Sequence, residues 1–129
     1  APGQQIQEAD WVRDICRGRK TTMRAATISA RPAAANFEAY LRRYRHEKTI
    51  VGVRQVLQVP SAPRGLVLRP AYLRSLRLCG QWGKTFDLCM RPEELGDAAK
   101  VAQLCPDTRF VLDHCGNATV GMRDPGQWK

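Results

Sequence analysis

The chain has 129 residues, 43% of them hydrophobic, and its formal net charge at pH 7 is +9. This length suffices for one domain with its own core. No apolar run approaches the roughly 20 residues of a membrane-spanning helix, and the amino terminus lacks the apolar stretch of a signal peptide, so no membrane partner is expected. The first residue is alanine rather than methionine, which fits processing or a piece cut from a longer chain.

The five cysteines are scattered and form no Cys-x-x-Cys pair. The sequence therefore contains neither a zinc-ribbon nor a thioredoxin-type motif. Isolated cysteines in apolar surroundings usually behave as small buried hydrophobic residues in a reducing compartment. We therefore expect a cytoplasmic protein.

The positive charge comes mostly from arginines spread along the chain. Such a charge is compatible with an anionic partner such as nucleic acid, or with a solvated basic surface. The densest cluster, residues 42–46, lies at the end of a predicted helix, where cations interact favourably with the helix dipole. Because neither a basic tail nor an RNP-like aromatic pattern accompanies this cluster, the solvated surface is favoured and no nucleic-acid partner is expected.

The first half of the chain predicts two helices and two strands in alternation. Apolar residues recur at helical spacing over residues 4–17, and a short apolar run predicts a strand over residues 23–30. Asn36 is the predicted N-cap of a helix over residues 37–44. The β-branched and apolar residues within 49–59 predict the second strand.

The second half repeats this alternation. Pro70 at a first helical turn predicts a helix to residue 79, and residues 84–90 predict a third strand. Pro92, followed by two acidic residues, opens a helix that stops at Pro106. The apolar residues of that helix are expected to face inward (Leu95, Ala98, Ala99, Val101, Ala102 and Leu104). Residues 110–112 predict the last strand, and residues 118–129 predict a loop.

The spacing of the predicted strands indicates the fold class. Their starts lie about 25 to 35 residues apart, as in the βα units of a parallel sheet. No low-complexity segment or internal linker divides the chain. We therefore predict one α/β domain in which about four parallel strands alternate with helices.

Chemistry is expected at the end of the last predicted strand. Its continuous apolar run, residues 110–112, is typical of a strand covered on both faces of a parallel sheet. Asp113 and His114 follow at its carboxyl end, where ligand and catalytic groups collect in parallel α/β folds. Imidazole titrates near neutrality and ligates metals, so His114 is a candidate site residue. The alternative is that both side chains only hydrogen-bond nearby loop amides.

Side chains two positions apart in a strand share a face. Three groups are placed together in this way: Arg54 with Val56 and Gln58, Asp87 with Cys89 and Arg91, and Leu112 with His114. Charged groups in strands this apolar are costly to bury without a partner or a wet cavity. We therefore predict a pocket that holds Arg54, Asp87 and His114, the alternative being an Arg54–Asp87 pair that satisfies itself within the sheet.

Established catalytic motifs are absent from the sequence. No P-loop, GxGxxG, HExxH or GxSxG occurs. A nucleophilic pair of Cys115 with His114 is geometrically poor, because adjacent residues of a strand point to opposite faces.

Five segments together carry a resemblance to a known family: residues 8–11, 37–41, 51–57, 85–88 and 106–116. In this order and spacing, the chain resembles the amidohydrolase-related family that includes L-fuconolactonase-like and 2-pyrone-4,6-dicarboxylate lactonase-like hydrolases. The resemblance implies a (β/α)₈ TIM barrel that hydrolyses a lactone, or another cyclic ester or amide, by attack of an activated water. The substrate would be a small molecule, an anionic lactone.

The resemblance also implies that the chain is partial. A barrel of this kind needs about 250 residues. The first-strand His-x-His motif of the family has no counterpart here, and the last-strand Asp that acts as general base would lie beyond Lys129. We therefore expect residues 1–129 to form a single partial barrel domain that is inactive as a fragment and exposes sheet edges through which it can self-associate.

The resemblance assigns roles to only a few residues of this chain. His114 matches the strand-end His of the middle of the barrel and is assigned to catalysis, and to the metal if one is used. Arg54, at a Gly-x-Arg position suited to an anionic group, is assigned to substrate binding with Asp87 and Gln58. The cofactor stays open, since some members use a divalent metal such as zinc and others none.

Two other classes of protein remain as alternatives. The first is a small complete α/β module that binds an anionic ligand near Arg54 and His114. The second is a basic nucleic-acid-associated protein, which is less favoured and predicts a steep salt dependence of binding.

Overall fold

A computed structural model of the chain describes residues 2–18 and 20–118. Its centre is a four-stranded parallel sheet in the order β1-β2-β3-β4. The strands are β1 (Ala26–Ser29), β2 (Ile50–Val56), β3 (Thr85–Cys89) and β4 (Phe110–Leu112). The helices are α1 (Pro2–Arg17), α2 (Phe37–Arg42), α3 (Pro70–Gln81) and α4 (Leu95–Leu104), with 3₁₀ turns at Leu66–Leu68 and Pro92–Glu94. The predicted alternation of four parallel strands with helices is confirmed.

Several predicted boundaries shift. The second strand ends at Val56 rather than at residue 59, because β3 ends at Cys89 opposite Val56 and leaves nothing further to pair with. Helix α2 ends at Arg42, and the side chain of Asn36 makes no capping hydrogen bond. The loop predicted for residues 118–129 lies, apart from residue 118, outside the described residues.

The sheet has one core face. Ile28, Val53, Phe86 and Phe110 lie side by side in register, so their side chains point to the same side of the sheet. The first three are buried, and helices cover them. The ring of Tyr72 on α3 meets Phe86 edge to face at a centroid distance of 5.9 Å. The core therefore lies between this face and the helices.

The opposite face of the sheet, here called the open face, carries Ser29, Arg54 and Asp87 in register, followed by the apolar Val111. Val111 is 47% exposed, and Leu112 on β4 is 45% exposed. The prediction that β4 is covered on both faces is therefore wrong. The reason is that β4 is the edge strand of the described sheet, and the described helices leave it uncovered.

Helix α4 buries fewer residues than its composition predicted. Ala98 and Val101 are buried, and Leu95 is half-buried. Ala99, Ala102 and Leu104 are exposed, which corrects the prediction for these three. A helix with 3.6 residues per turn presents only one stripe to the sheet, and alanines of either face look alike in the sequence.

All five cysteines are free, and four of them are buried, as predicted, while Cys115 is exposed. Within residues 2–18 and 20–118, no helix has both the length and the apolar character needed to cross a membrane.

Candidate functional site

Polar side chains converge where β2, β3 and β4 end. Arg54 of β2 lies opposite Asp87 of β3, and Asp113 directly follows β4. The Arg54 guanidinium reaches past the neighbouring strand, and its Nη1 lies 3.4 Å from Oδ2 of Asp113. The alternative in which Arg54 and Asp87 only satisfy each other is therefore wrong, because the ion pair that Arg54 forms in the described chain is with Asp113.

Asp87 occupies a half-buried position on the open face. Burial raises the pKa of its carboxyl group, and the negative charge of Asp113 raises it further. A side-chain hydrogen bond with Thr27 and the charge of Arg54 act in the opposite direction without cancelling the shift. A carboxyl group whose pKa is shifted towards neutrality is better suited to exchange protons with a substrate or a water.

A second group of side chains meets beside this pair. Cys89, Asp113 and His114 each place a ligating atom within 4.8 Å of those of the other two. Cys89 is only 2% exposed. Burial and the neighbouring Asp113 raise the pKa of its thiol, and Arg54 lowers it in part. Sequence reasoning placed Cys89 on the face of Asp87 but did not assign it to the site.

The chain leaves β4 in an unusual conformation. His114, Cys115, Gly116 and Asn117 have φ values of 50°, 50°, 68° and 55°. Each non-glycine residue in a left-handed conformation costs roughly 1–2 kcal/mol. The Asn117 amide holds the turn by donating to the backbone oxygen of Met90 at 2.5 Å. Gly116 suits this position, because a Cβ atom would lie 2.9 Å from Leu95 Cδ2, which would then have to move.

This turn corrects the predicted face of His114. Strand alternation would place His114 with Leu112, which lies opposite Leu88 on the helix-covered side. Instead the positive φ at His114 brings its imidazole to Asp113 and Cys89. Adjacent residues therefore reach one cluster, which regular alternation forbids.

The match to the family model for Amidohydrolase covers residues 2–129. The chain belongs to the amidohydrolase family. Among solved structures, it is similar to an amidohydrolase 2 from Bifidobacterium longum subsp. infantis, with a TM-score of 0.63 and 24% sequence identity. That match covers 92% of this chain and 42% of the other, so the present chain spans less than half of that protein. No curated protein gives a significant match.

The structural similarity shows the fold: the four parallel strands and their helices are part of a TIM-barrel amidohydrolase fold. In such barrels the catalytic groups lie at the carboxyl ends of the strands. Asp113 and His114 are at that end, and Arg54 and Asp87 lie within the neighbouring strands β2 and β3. The lactonase subtype of the resemblance stays a prediction.

Gln58 and Arg91, which the sequence placed on the same strand faces as Arg54 and Asp87, lie outside the candidate site of this amidohydrolase chain. Gln58 is exposed beyond the end of β2, and no hydrogen bond within the described residues joins it to Arg54, Asp87 or His114. Arg91 donates to the backbone oxygen of Ala62 at 2.9 Å and pairs with Glu94 at 2.7 Å. Arg91 therefore ties the loop after β2 to the start of the next helix, and its role is structural.

Proposed function

We propose that the protein is a hydrolase of a lactone, or of another cyclic ester or amide, in which an activated water attacks the ring carbonyl. The observation that carries this proposal is that Arg54 lies opposite Asp87 on adjacent parallel strands, while Asp113 contacts Arg54 and lies beside His114. Membership in the amidohydrolase family supports it.

Arg54 is the proposed anchor for an acidic group of the substrate. Its side chain is 46% exposed, and Asp113 contacts only one of its terminal nitrogens, at a distance of 3.4 Å. The remaining N–H groups of the planar guanidinium can bind a carboxylate in a bidentate manner. An anionic lactone fits this arrangement better than a neutral one.

His114 and Asp87 are the proposed partners of the reacting groups. The exposed imidazole of His114 can stabilise the oxyanion that develops on the carbonyl oxygen, and Asp87 can hold or move a proton beside it. A divalent metal bound by His114 would add Lewis-acid polarisation of the carbonyl and a more acidic water. Gln58 contributes to substrate binding in this proposal only if the loop after β2 brings it inward.

We further infer that these 129 residues do not hydrolyse the substrate by themselves. The family resemblance assigns the general base to an Asp of the last strand, and this chain spans 42% of the matched structure. The described sheet also leaves one edge of β1 and one edge of β4 unpaired. Such edges pair readily with another chain, so self-association stays a prediction, to be checked by sedimentation.

The test compares a complete barrel that contains these residues with the 129-residue chain alone. Both are assayed with carboxylated lactones and with neutral lactones. We expect turnover by the complete barrel, with higher kcat/KM for the carboxylated substrates, and none by the chain alone. In the complete barrel, Arg54→Met should raise KM, and His114→Asn should lower kcat by about 10²–10⁴-fold.

Arg109→Met is the matched control, because Arg109 is equally an exposed arginine but precedes β4 at the opposite end of the sheet. Its kinetics should match those of the parent. Equal losses in Arg54→Met and Arg109→Met would contradict the proposed anchor. Binding of carboxylated lactones without any turnover by the complete barrel would favour the alternative of an anionic-ligand binding module.

A further inference from the structure

A cavity of about 270 Å³ lies between helices α1 and α2, beside the end of β1. The buried rings of Phe37 and Tyr40 on α2 and the half-buried Ile6 on α1 give it an apolar lining. Phe37 and Tyr40 belong to the core between the sheet and the helices, whereas Arg54 is on the open face. This cavity is therefore separate from the candidate functional site, and its size suits a small ligand.

The two helices that form the cavity are joined through a pair of tyrosines. The Tyr40 hydroxyl donates to the backbone oxygen of Ser29 at 2.7 Å, and its ring meets that of Tyr44 edge to face at a centroid distance of 5.5 Å. The Tyr44 hydroxyl in turn donates to Oδ1 of Asp10 on α1 at 3.0 Å. The cavity is thus already formed, so a ligand that enters it loses little binding free energy to the ordering of side chains.

The charge at the cavity is positive. Among the described residues that line it, Arg31 and Arg43 are charged and none carries a carboxylate. Arg31 Nη1 donates to the backbone oxygen of the preceding residue at 2.8 Å, and no carboxylate of the described chain forms an ion pair with this guanidinium. Arg43 lies 3.6 Å from Asp10, which already pairs with Arg13 at 2.8 Å. Glu8 is a nearby carboxylate, but it is exposed and does not line the cavity. Arg31 therefore keeps N–H groups free for an anion.

Two amide side chains complete the polar part of the lining. Asn36 was predicted to cap α2, but its side chain makes no capping hydrogen bond and lines the cavity instead. Gln5 of α1 lines the cavity as well. Amide NH₂ groups donate hydrogen bonds, so both side chains can supplement Arg31 around the oxygens of a carboxylate.

We propose that this cavity binds a small carboxylate carried on an apolar ring. Arg31 holds the carboxylate in a bidentate manner, and the rings of Phe37 and Tyr40 contact the ring of the ligand. The apolar lining favours such a molecule over a bare inorganic anion, which would lose its hydration without an apolar contact in return. The proposal does not depend on the hydrolase function, because it concerns another side of the sheet and is tested without turnover.

The test is a titration of the chain alone, and of a complete barrel that contains it, with para-fluorobenzoate, followed by fluorine NMR. We expect saturable binding to both, and binding at least about tenfold weaker for the neutral para-fluorobenzamide and for fluoroacetate, which lacks the ring. Arg31→Met should weaken para-fluorobenzoate binding by about tenfold or more. Ala39→Leu, at an exposed position of α2 that lines the cavity, should weaken it by filling the cavity. Circular dichroism checks the folding of each variant.

Arg42→Met is the matched control, because Arg42 is an exposed arginine of the same helix that pairs with Glu38 and does not line the cavity. Arg54→Met separates the cavity from the candidate functional site, and both variants should retain the binding. A loss in Arg54→Met that Arg31→Met does not show would place the ligand at the candidate functional site and overturn the proposal. Absence of saturable binding, or equal losses in Arg31→Met and Arg42→Met, would also overturn it. Binding by the chain alone that disappears in the complete barrel would do the same, since the rest of the barrel would then cover the cavity.

Discussion

Polar groups are arranged differently at the two ends of the parallel sheet. At the amino end, Lys84 is 5% exposed, and its ammonium donates to the backbone oxygens of Glu47 at 2.9 Å and Ile50 at 2.6 Å. The Glu47 carboxylate accepts hydrogen bonds from Thr49 and Arg17. This network joins α1, the start of β2 and the start of β3.

At the carboxyl end, by contrast, charges are crowded and the backbone is strained. Asp87 and Cys89 have raised pKa values, and the turn after β4 has four consecutive positive φ values. Buried polar groups that are fully bonded stabilise a fold, whereas backbone strain concentrates at functional sites. We infer that the amino end stabilises the sheet and that the carboxyl end is built for chemistry.

The largest expected effect is on the sheet itself. In Gly52→Ala, the new Cβ atom would collide with Thr85 Oγ1 and lie 2.9 Å from the Thr85 backbone oxygen, so β2 and β3 must separate. We expect a loss of about 3 kcal/mol in the free energy of unfolding, measured by urea denaturation. The control Gly96→Ala, on helix α4 with no atom within 4 Å, should stabilise the chain by up to about 1 kcal/mol. Equal stability of the two variants would contradict the close approach.

Removal of the Lys84 ammonium should break the amino-end network. Lys84→Met leaves two buried backbone oxygens without this donor, and we expect a loss of about 2 kcal/mol in the free energy of unfolding. Lys48→Met, at an exposed position of the same region, should change it by less than about 0.5 kcal/mol.

A substitution in the left-handed turn should affect the carboxyl end instead. Gly116→Ala introduces a side chain at a φ of 68° and against Leu95, with an expected cost of about 1–2 kcal/mol. Gly65→Ala is the matched control: its φ is 66°, but no atom lies within 4 Å of the new Cβ. Urea denaturation of both variants measures the difference, and Gly116→Ala should lose more stability than Gly65→Ala. Equal losses in both variants would show that the approach to Leu95 adds no cost.

The smallest expected effect is on the free energy of unfolding at acid pH. Burial alone would raise the pKa of Glu47, but hydrogen bonds from Thr49 and the ion pair with Arg17 outweigh it and hold that pKa below its usual value. A carboxylate with a depressed pKa stabilises the fold above about pH 4.3, and this contribution is lost as the pH falls through the folded-state pKa. We therefore expect Glu47→Gln to destabilise the chain at pH 7 and to approach the parent as the pH falls through that lowered pKa.

Urea denaturation at several pH values between 7 and 3 measures this convergence. Glu38→Gln removes an exposed i,i+4 ion pair with Arg42, and at pH 7 it should cost no more than a few tenths of a kcal/mol. A constant difference between Glu47→Gln and the parent across the whole range would contradict the linkage.

The sequence was sufficient for much of the fold. Hydrophobic periodicity and the proline positions predicted the four strands, their parallel alternation with helices, and the placement of Arg54, Asp87 and His114 near the strand ends. These features depend on residues close together in the chain. The family resemblance was also correct at the level of the amidohydrolase family.

The sequence was less able to predict which side chains meet at the candidate site. Arg54 pairs with Asp113 rather than with Asp87 because a long side chain can reach past the neighbouring strand, and no sequence pattern records that reach. Burial of β4 was overestimated because an apolar strand looks the same in the middle of a sheet and at its edge.

The sequence by itself thus determined which elements form and which polar residues lie at their ends, since both follow from local periodicity. Only the tertiary structure decided that Cys89 and Asp113 join His114. The His114 side chain follows a positive φ, in a turn that the Asn117 side chain ties to the backbone oxygen of Met90 in another segment of the chain. A conformation held by distant contacts against its local preference cannot be deduced from the local sequence.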